Sequence, residues 1–318
     1  MSEEIIAAIR QRSRPLTPEP TTVRSRVNPL PPKKAVLFDV YGTLIISDSG
    51  DVGVAAEHEA KAAEDALAAV GIEAIGRGQQ VVERLIATIH EDHERMRQKG
   101  GEFPEVDIRE IWRTTISSLA EEGVLRLPGS AVASATGKAA NSAADTLNVD
   151  LLAVVYEGRV NAVWPMPGAR ETLAAIRSAG LTLGLVSNAQ FFTPLLFPAL
   201  FEQTLDDLGF DPELRFFSYQ RRRAKPGTYL YAAAAREMAR RGMRPNEALY
   251  VGNDMRNDMW PAREVGFTTA LFAGDNRSLR LRADDRRLAR LCPDLVLTAL
   301  PQLLEALGID ANASQDHG

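Results

Sequence analysis

The stretch Ala35-Val36-Leu37-Phe38-Asp39-Val40-Tyr41-Gly42-Thr43-Leu44 decides the fold. Four apolar residues in a row make a strand buried on both faces, as in a parallel sheet, and the run stops at a carboxylate followed by a Gly-Thr turn. In open α/β sheets, ligands sit just outside the carboxyl ends of the strands, where Asp39 falls. A lone Asp there is ordinarily a turn or cap residue, so its meaning depends on what the rest of the chain brings beside it.

The strand pattern returns in the second half of the chain. Short apolar runs at 181–186, 216–217, 248–251, 267–272 and 295–297 read as strands. They alternate with helical stretches at 169–179, 194–208, 229–241, 258–265 and 303–307. Such alternation predicts an α/β, Rossmann-like, mainly parallel sheet with helices on both faces.

Between the two halves lies a different texture. Residues 45–53 read as a loop, and 54–160 are helical and nearly free of strand runs. One helix covers 54–70 and stops at Gly71. A second, 79–99, puts Val82, Leu85, Ile86 and Ile89 on one face and ends at Gly100-Gly101. Asp107 and Glu110 have capping-box spacing ahead of a third helix that turns Ile108, Ile111, Trp112, Thr115 and Leu119 inward. A fourth runs from about 142 to 156 with Leu147, Leu151, Leu152 and Val155. Four amphipathic helices inserted near the first strand's carboxyl end predict a helical lid, with a separate bundle as the alternative. The expected division is an arm over 1–34, an α/β core over 35–53 and 161–318, and a helical cap over 54–160.

Residues 2–12 predict a short helix with Ile5, Ile6 and Ile9 on one stripe. Residues 13–34 hold Pro15, Pro18, Pro20, Pro29, Pro31 and Pro32, a composition that resists both helix and central strand. This is either an arm that docks onto a partner or a second subunit, making a homodimer conceivable, or a loosely ordered tail.

Composition excludes several classes. At 318 residues, 45% hydrophobic and 25% charged, the chain is ordinary for a soluble globular protein, and its net charge of −5 offers no global field for nucleic acid or anionic membrane. The Arg221-Arg222-Arg223 cluster is local, either a solvated loop or an anion site. One cysteine, Cys292, rules out an intramolecular disulfide and fits a reducing compartment. With no apolar run of membrane-spanning length and no secretory leader pattern, the expected location is the cytoplasm.

Polar residues cluster where the strands end: Asp39 and Thr43 after the first, Ser187 and Asn188 after the second, Lys225 after the third, and Asn253, Asp254 and Asp258 after the fourth. A carboxylate in such a crevice can attack phosphorus or carbon to form a covalent aspartyl intermediate that water cleaves. An anionic substrate approaches acidic neighbours only if their charge is offset. Mg²⁺ on Asp39 and Asp254 would do this, with Lys225 as a second cation. The Ser187 hydroxyl and nearby N–H groups suit a phosphate oxygen, and Gly42 suits close approach of backbone to substrate.

This ordered set resembles the haloacid dehalogenase (HAD) superfamily of hydrolases. The resemblance rests on Phe38-Asp39-Val40-Tyr41-Gly42-Thr43-Leu44, Val186-Ser187-Asn188, Lys225-Pro226, and Val251-Gly252-Asn253-Asp254 with Asp258, and spans about residues 34–307. It implies Asp39 as nucleophile, Thr43 as support for its loop, Ser187 and Asn188 at the transferring group, and Lys225 as neutralising charge. It also implies Mg²⁺ held by Asp39, the Tyr41 carbonyl, Asp254 and Asp258, with Asn253 beside the substrate.

Two departures pull in opposite directions. The superfamily's phosphatases usually carry an acid–base Asp two residues after the nucleophile, and here it is Tyr41, as in the metal-free dehalogenases of the superfamily. A phenol with pKa near ~10 is a poor base at neutral pH. Against a dehalogenase, Asp254 and Asp258 form an acidic pair that repels a carboxylate unless a cation intervenes, and no Arg occurs between Arg26 and Arg77 to grip one. Asn253 stands where many relatives have their first Asp. The expectation is therefore a Mg²⁺-dependent phosphatase for a small phosphorylated metabolite. The alternatives are a 2-haloacid dehalogenase-like hydrolase acting on a halogenated substrate and a non-catalytic phosphate-binding relative.

Other candidates are weaker. His90 and His93 on a helix read as a polar face rather than a metal site. Arg97, Lys99 and Lys138 are the cap's candidate anion contacts, and Asp275, Asn276, Arg277 and Arg280 either line the crevice or form a polar loop. Trp164 and Trp260 read as packing residues.

Overall fold

A computed structural model of the chain describes residues 2–48, 56–128 and 146–310. Its centre is β1 (Ala35–Phe38), buried at every position. β1 lies between β4 (Thr182–Ser187) and β6 (Ala248–Gly252), parallel to both, with Phe38 level with Leu185 on one side and Val251 on the other. β5 (Phe210–Phe217), β7 (Thr268–Phe272) and β8 (Leu295–Leu297) complete a six-stranded parallel sheet in the order β5-β4-β1-β6-β7-β8. The chain leaves β1 toward β4 and β5, then returns to β6 on the other side. That reversal opens a crevice at the carboxyl end of β1, and the register sets Asp39, Ser187 and Gly252 at nearly one height.

The helices α6 (Ala169–Ser178), α7 (Thr193–Leu200), α8 (Tyr229–Arg240), α9 (Trp260–Val265) and α10 (Gln302–Leu307) flank this sheet. One apolar cluster holds Val36, Phe38, Leu183, Leu185, Leu249 and Val251. Another holds Ala35, Leu37, Val186, Leu230 and Tyr250. Alternate β1 residues thus serve opposite faces, which is why the strand reads as one apolar run. Among the described residues no helix is long and apolar enough to cross a membrane.

Several boundaries differ from expectation. Residues 45–47 are not loop but β2 (Ile45–Ser47), buried and antiparallel to β3 (Val163–Pro165), with Ile46 opposite Trp164. The polar run after Ser47 hides this strand in the sequence. β5 begins at Phe210 rather than 216. Pro212 is tolerated because β5 is an edge strand. The helix after β4 stops at Leu200, eight residues early.

Between β2 and β3 stand α2 (Ala56–Ala69), α3 (Gly78–Gln98), α4 (Ile108–Glu121) and α5 (Val149–Val160). They share a separate apolar cluster with the fully buried Trp112 among Val82, Leu85, Ile111, Ile116 and Leu152. Tyr156 meets Trp112 edge-on at 5.3 Å. The start of α4 differs from a capping box, because Asp107 accepts from Arg109 N at 3.0 Å and Arg109 also pairs with its carboxylate. Asn148 caps α5, its Oδ1 accepting from Leu151 N at 3.0 Å. The first residues of the expected fourth helix, and Lys138, lie outside the described residues.

A belt of polar contacts ties these helices to the sheet. Arg222, in the left-handed region with φ 53°, bonds Asp92 of α3 at 2.6 Å and Glu110 of α4 at 3.1 Å. Ser218 Oγ donates to Glu105 at 2.7 Å, and Ala224 N donates to the Phe103 carbonyl. Burial pushes the Glu105 carboxyl above its ordinary range, and the Ser218 hydroxyl opposes this. Arg222 of the arginine cluster is therefore a clamp, neither a solvated loop residue nor an anion site.

α1 (Ser2–Arg12) buries Ile5, Ala8 and Ile9 against α5 and α7, while Ile6 is half-buried. Arg10 fixes it further by donating to the carbonyls of Pro198 and Ala199. The proline-rich arm is not a free tether, since its backbone pairs with its own chain. Arg26 exchanges two hydrogen bonds with Val296 at the outer edge of β8, and Leu30 N donates to the Ala306 carbonyl. Proline excludes the arm from a central strand, but its other residues can still cap an exposed sheet edge. Ile5→Ala and Ile9→Ala should each cost about 2–5 kcal/mol in chemical denaturation, and Ile6→Ala under about 1 kcal/mol. Equal costs at all three positions would contradict this docking.

Candidate active site

The turn after β1 closes through Gly42 N to the Ile45 carbonyl at 2.7 Å and Leu44 N to the Val40 carbonyl at 2.9 Å. Gly42 has φ 73°. A Cβ there would stand 2.4 Å from Asn253 Nδ2 and 2.6 Å from Ser278 Cβ. The loops closing on this position and its positive φ thus demand glycine. Thr43 is fully buried, and its hydroxyl makes no hydrogen bond among the described residues.

Lys225 is the hub of the site. Its buried Nζ lies 2.9 Å from Asp39 Oδ1, 2.7 Å from Asp258 Oδ1 and 2.8 Å from the Tyr250 hydroxyl. Its backbone N donates to Asn188 Oδ1 at 2.8 Å, so both ends of the residue are held. Burial pulls the ammonium down, but the Asp258 and Asp39 carboxylates outweigh it and hold Lys225 above its ordinary range. Beneath it, Tyr231 and Tyr250 meet edge-to-face at 5.0 Å. Asp258 also accepts from Tyr250 at 2.9 Å and from Asp254 N at 3.0 Å. Gly252 leaves room for that carboxylate, since a Cβ there would sit 2.4 Å from Asp258 Cγ.

Asp254 opens a π-helical turn over Met255–Met259, its Oδ1 accepting from Arg256 N at 2.7 Å and Asn257 N at 3.1 Å. Its Oδ2 is 2.7 Å from Arg282 Nη2, and Arg282 Nε is 3.3 Å away. The Arg282 loop is stitched to this turn. Met255 N donates to the Arg280 carbonyl, Arg280 N to the Asn253 carbonyl, and Asn253 Nδ2 to the Ser278 carbonyl at 2.6 Å.

These groups meet around a cleft of about 210 Å³. Of the residues expected from sequence, Asp39, Tyr41, Asn188, Lys225, Asn253, Asp254 and Asp258 line it. Ser187, Gly42 and Thr43 do not. Ser187 is fully buried and donates to the Asn188 carbonyl at 3.2 Å. Arg280 lines the cleft. Asp275 instead serves the arm by accepting from Glu19 N, and Arg277 stands by Asp48 and Asp275. Asn257, Ser278 and Arg282 line the cleft without having been singled out. The alternation Arg280-Leu281-Arg282 after the fifth sheet strand was the available signal.

Tyr41 lines the cleft but turns its hydroxyl to a neighbouring side chain. Its hydroxyl lies 3.0 Å from Thr193 Oγ1, next to a small apolar cavity lined by Ile9, Phe192 and Leu196. Burial, reinforced by nearby Glu157, pushes the phenol far above its ordinary range. Among the weaker candidates, Arg97 pairs with Glu94 on an exposed face. His93 is lowered chiefly by burial, and its Nε2 has no partner among the described residues.

The donor set does not fit a divalent ion held by carboxylates. Among the described residues, no group of three or more His, Cys, Asp or Glu side chains is arranged for a metal. Asp254 is occupied by Arg282 and two backbone N–H groups, and Asp258 by Lys225, Tyr250 and Asp254 N. The acidic pair that called for a cation in the sequence is already offset by Lys225 and Arg282. Lys225 stands 33 positions from Asp258 and Arg282 28 positions from Asp254, too far for spacing to reveal.

A parallel sheet with Asp39, Lys225, Asp254 and Asp258 gathered at its strand ends defines the class to which the chain belongs. A model of the haloacid dehalogenase-like hydrolase family matches residues 33–266, and the chain belongs to that family. It is 25% identical over 301 residues to the "Phosphoglycolate phosphatase" of Shigella boydii serotype 4, covering 89% of this chain and 96% of that protein. To the protein of the same name from Salmonella choleraesuis it is 30% identical over 152 residues, 47% of this chain. The chain there spans about half the relative's length, 54%. A 2-haloacid dehalogenase structure from Pseudomonas syringae pv. Tomato DC3000 shares the fold, with TM-score 0.54 and 19% identity over 87% of this chain and 98% of that one.

Removing the hub should be costly. Lys225→Met strands two buried carboxylates and is expected to lower stability by about 3–5 kcal/mol. Lys225→Met with Asp258→Asn should recover a substantial part, as measured by urea denaturation. No recovery would deny the coupling.

Proposed function

We propose that this hydrolase cleaves small phosphate esters or acyl phosphates through a covalent intermediate on Asp39. The observation that carries this is the Asp39 carboxylate at the cleft, with one oxygen held 2.9 Å from a buried ammonium. Lys225 orients Asp39 and keeps its charge compensated while leaving Oδ2 to react. The phosphatase-named relatives support phosphorus over carbon as the reacting atom.

In the first step an Asp39 oxygen forms a bond to phosphorus. The bond from phosphorus to the leaving oxygen breaks, and its electron pair goes to that oxygen. Lys225 and the cleft arginines offset the charge of the transferring phosphoryl group. In the second step water oxygen bonds to phosphorus, and the acyl-phosphate O–P bond breaks with its electron pair going to Asp39, restored as carboxylate. One water proton stays as the new P–OH and the other passes to a phosphate oxygen or solvent. Asn188 and Asn253 are positioned to contact the substrate.

Tyr41 neither gives nor takes a proton at neutral pH, so the leaving group departs as an anion. This favours aryl and acyl phosphates over simple alkyl esters. The helices within 54–160 act as a cap that selects substrate over the strand ends. Mg²⁺ on Asp39, the Tyr41 carbonyl and Asp254 is the cofactor arrangement the family resemblance implies. It requires Arg282 to release Asp254.

A second reading, hydrolysis of a carbon–halogen bond, gains one observation: Arg280 and Arg282 at the cleft are charges able to grip a carboxylate. Asp39 would then bond to carbon as halide leaves with the bonding pair, and water would cleave the ester.

A panel of aryl, acyl and alkyl phosphates and a 2-haloacid, run with and without Mg²⁺, distinguishes these outcomes. Asp39→Asn should lower turnover on the order of 10³-fold or more. Full activity in that variant would refute the nucleophile. Tyr41→Phe should lose far less than the ~10²-fold that removal of a general acid brings, and its pH–rate profile from about 6 to 9 should overlay the wild type. Alkyl phosphates cleaved as fast as aryl phosphates would refute the leaving-group restriction.

A further inference from the structure

Arg282 has no part in the motifs that define this family, yet the chain builds a device to deliver it. Its backbone adopts φ 52°, a left-handed conformation that non-glycine residues seldom take and that persists only where the surroundings enforce it. The surroundings do so here. A paired backbone bridge ties Arg280 to Asn253 and Met255, and the Asn253 amide grips the Ser278 carbonyl. Two residues beyond that bridge, Arg282 sets two nitrogens on the Asp254 carboxylate, the closer at 2.7 Å, and it lines the cleft that Asp39 and Lys225 share.

The charge count of the cleft follows from this. Its lining includes the carboxylates of Asp39, Asp254 and Asp258 and the cations Lys225, Arg280 and Arg282. Lys225 compensates Asp39 and Asp258, and Arg282 compensates Asp254. The Arg280 guanidinium folds back on the carbonyls of Arg277 and Leu279. A divalent ion at Asp254 would have to displace a guanidinium, at the cost of placing two cations side by side.

We propose that Arg282, held on Asp254, supplies the positive charge that a divalent cation supplies in metal-dependent members of this family, so that turnover on Asp39 proceeds without metal. This rests on the hydrolase reading above. Guanidinium is always charged and presents planar donors that suit phosphate oxygens, so the same group can pair with Asp254 and offset the charge of a substrate held beside it.

The test separates metal binding from turnover. Mn²⁺ binding is followed by electron paramagnetic resonance on the wild type, Arg282→Gln and Arg282→Lys. Glutamine keeps a neutral donor for Asp254 and protects the fold, and circular dichroism melts check that it does. The wild type and Arg282→Lys should leave Mn²⁺ free at concentrations on the order of 1 mM, whereas Arg282→Gln should bind it at Asp254. With p-nitrophenyl phosphate, chelator should leave wild-type turnover unchanged. In chelator, Arg282→Gln should fall about 10²-fold, and Mg²⁺ should restore most of the loss. Tight Mn²⁺ binding by the wild type, loss of its activity in chelator, or an Arg282→Gln variant equally active in chelator overturns the proposal. If no variant turns over any substrate, the hydrolase reading fails, and the Mn²⁺ titration still decides whether Arg282 excludes a metal.

Discussion

A buried ammonium between two carboxylates is the constraint on which this structure depends. Lys225 lies within 3 Å of both Asp39 and Asp258, groups that follow neighbouring strands of one sheet. None of the three is sustainable alone at that depth. Each needs the others charged and in place. The arrangement therefore fixes the ends of β1 and β6 relative to the loop after β5, and Tyr231, Tyr250 and Asn188 fill the remaining hydrogen-bonding positions. A site built this way is preorganised, because the charges that would act on a substrate are those that hold the loops together.

The same economy governs the periphery. The helices between β2 and β3 have a separate apolar cluster, and they are secured to the sheet by Arg222 with Asp92 and Glu110 and by Ser218 with Glu105. Apolar packing joins these polar ties, since Val154 of α5 belongs to the core cluster of the sheet and Ile108 and Leu151 pack against it. On the opposite edge, the arm closes β8 by pairing Arg26 with Val296. This pairing occupies the backbone N–H and C=O of Val296 at the outer side of β8.

Tyr41 and Arg282 set the character of this cleft. The Tyr41 hydroxyl is turned to Thr193 Oγ1, and the Arg282 guanidinium is paired with Asp254, where the family resemblance implies a metal ligand. Both arrangements suit the proposed chemistry, in which fixed groups balance charge and the leaving group needs no proton.

Sequence by itself determined the strand–helix order, the apolar centre at Ala35–Phe38, the helical insertion and the placement of Asp39, Asn188, Lys225, Asp254 and Asp258 at strand ends. These are consequences of local periodicity and of parallel strands that must be buried on both faces. Only the tertiary structure decided which charge answers which. Arg282 reaches Asp254 across 28 positions and Arg222 reaches Asp92 across 130, separations that no local pattern encodes. It also showed that Gly42 serves Asn253 and Ser278, that Ser187 is packed behind the cleft, and that a proline-rich arm can lie along an edge strand. Hydrophobic periodicity is written along the chain, but compensation of buried charge is settled in space, so the fold was legible before the electrostatics of the site.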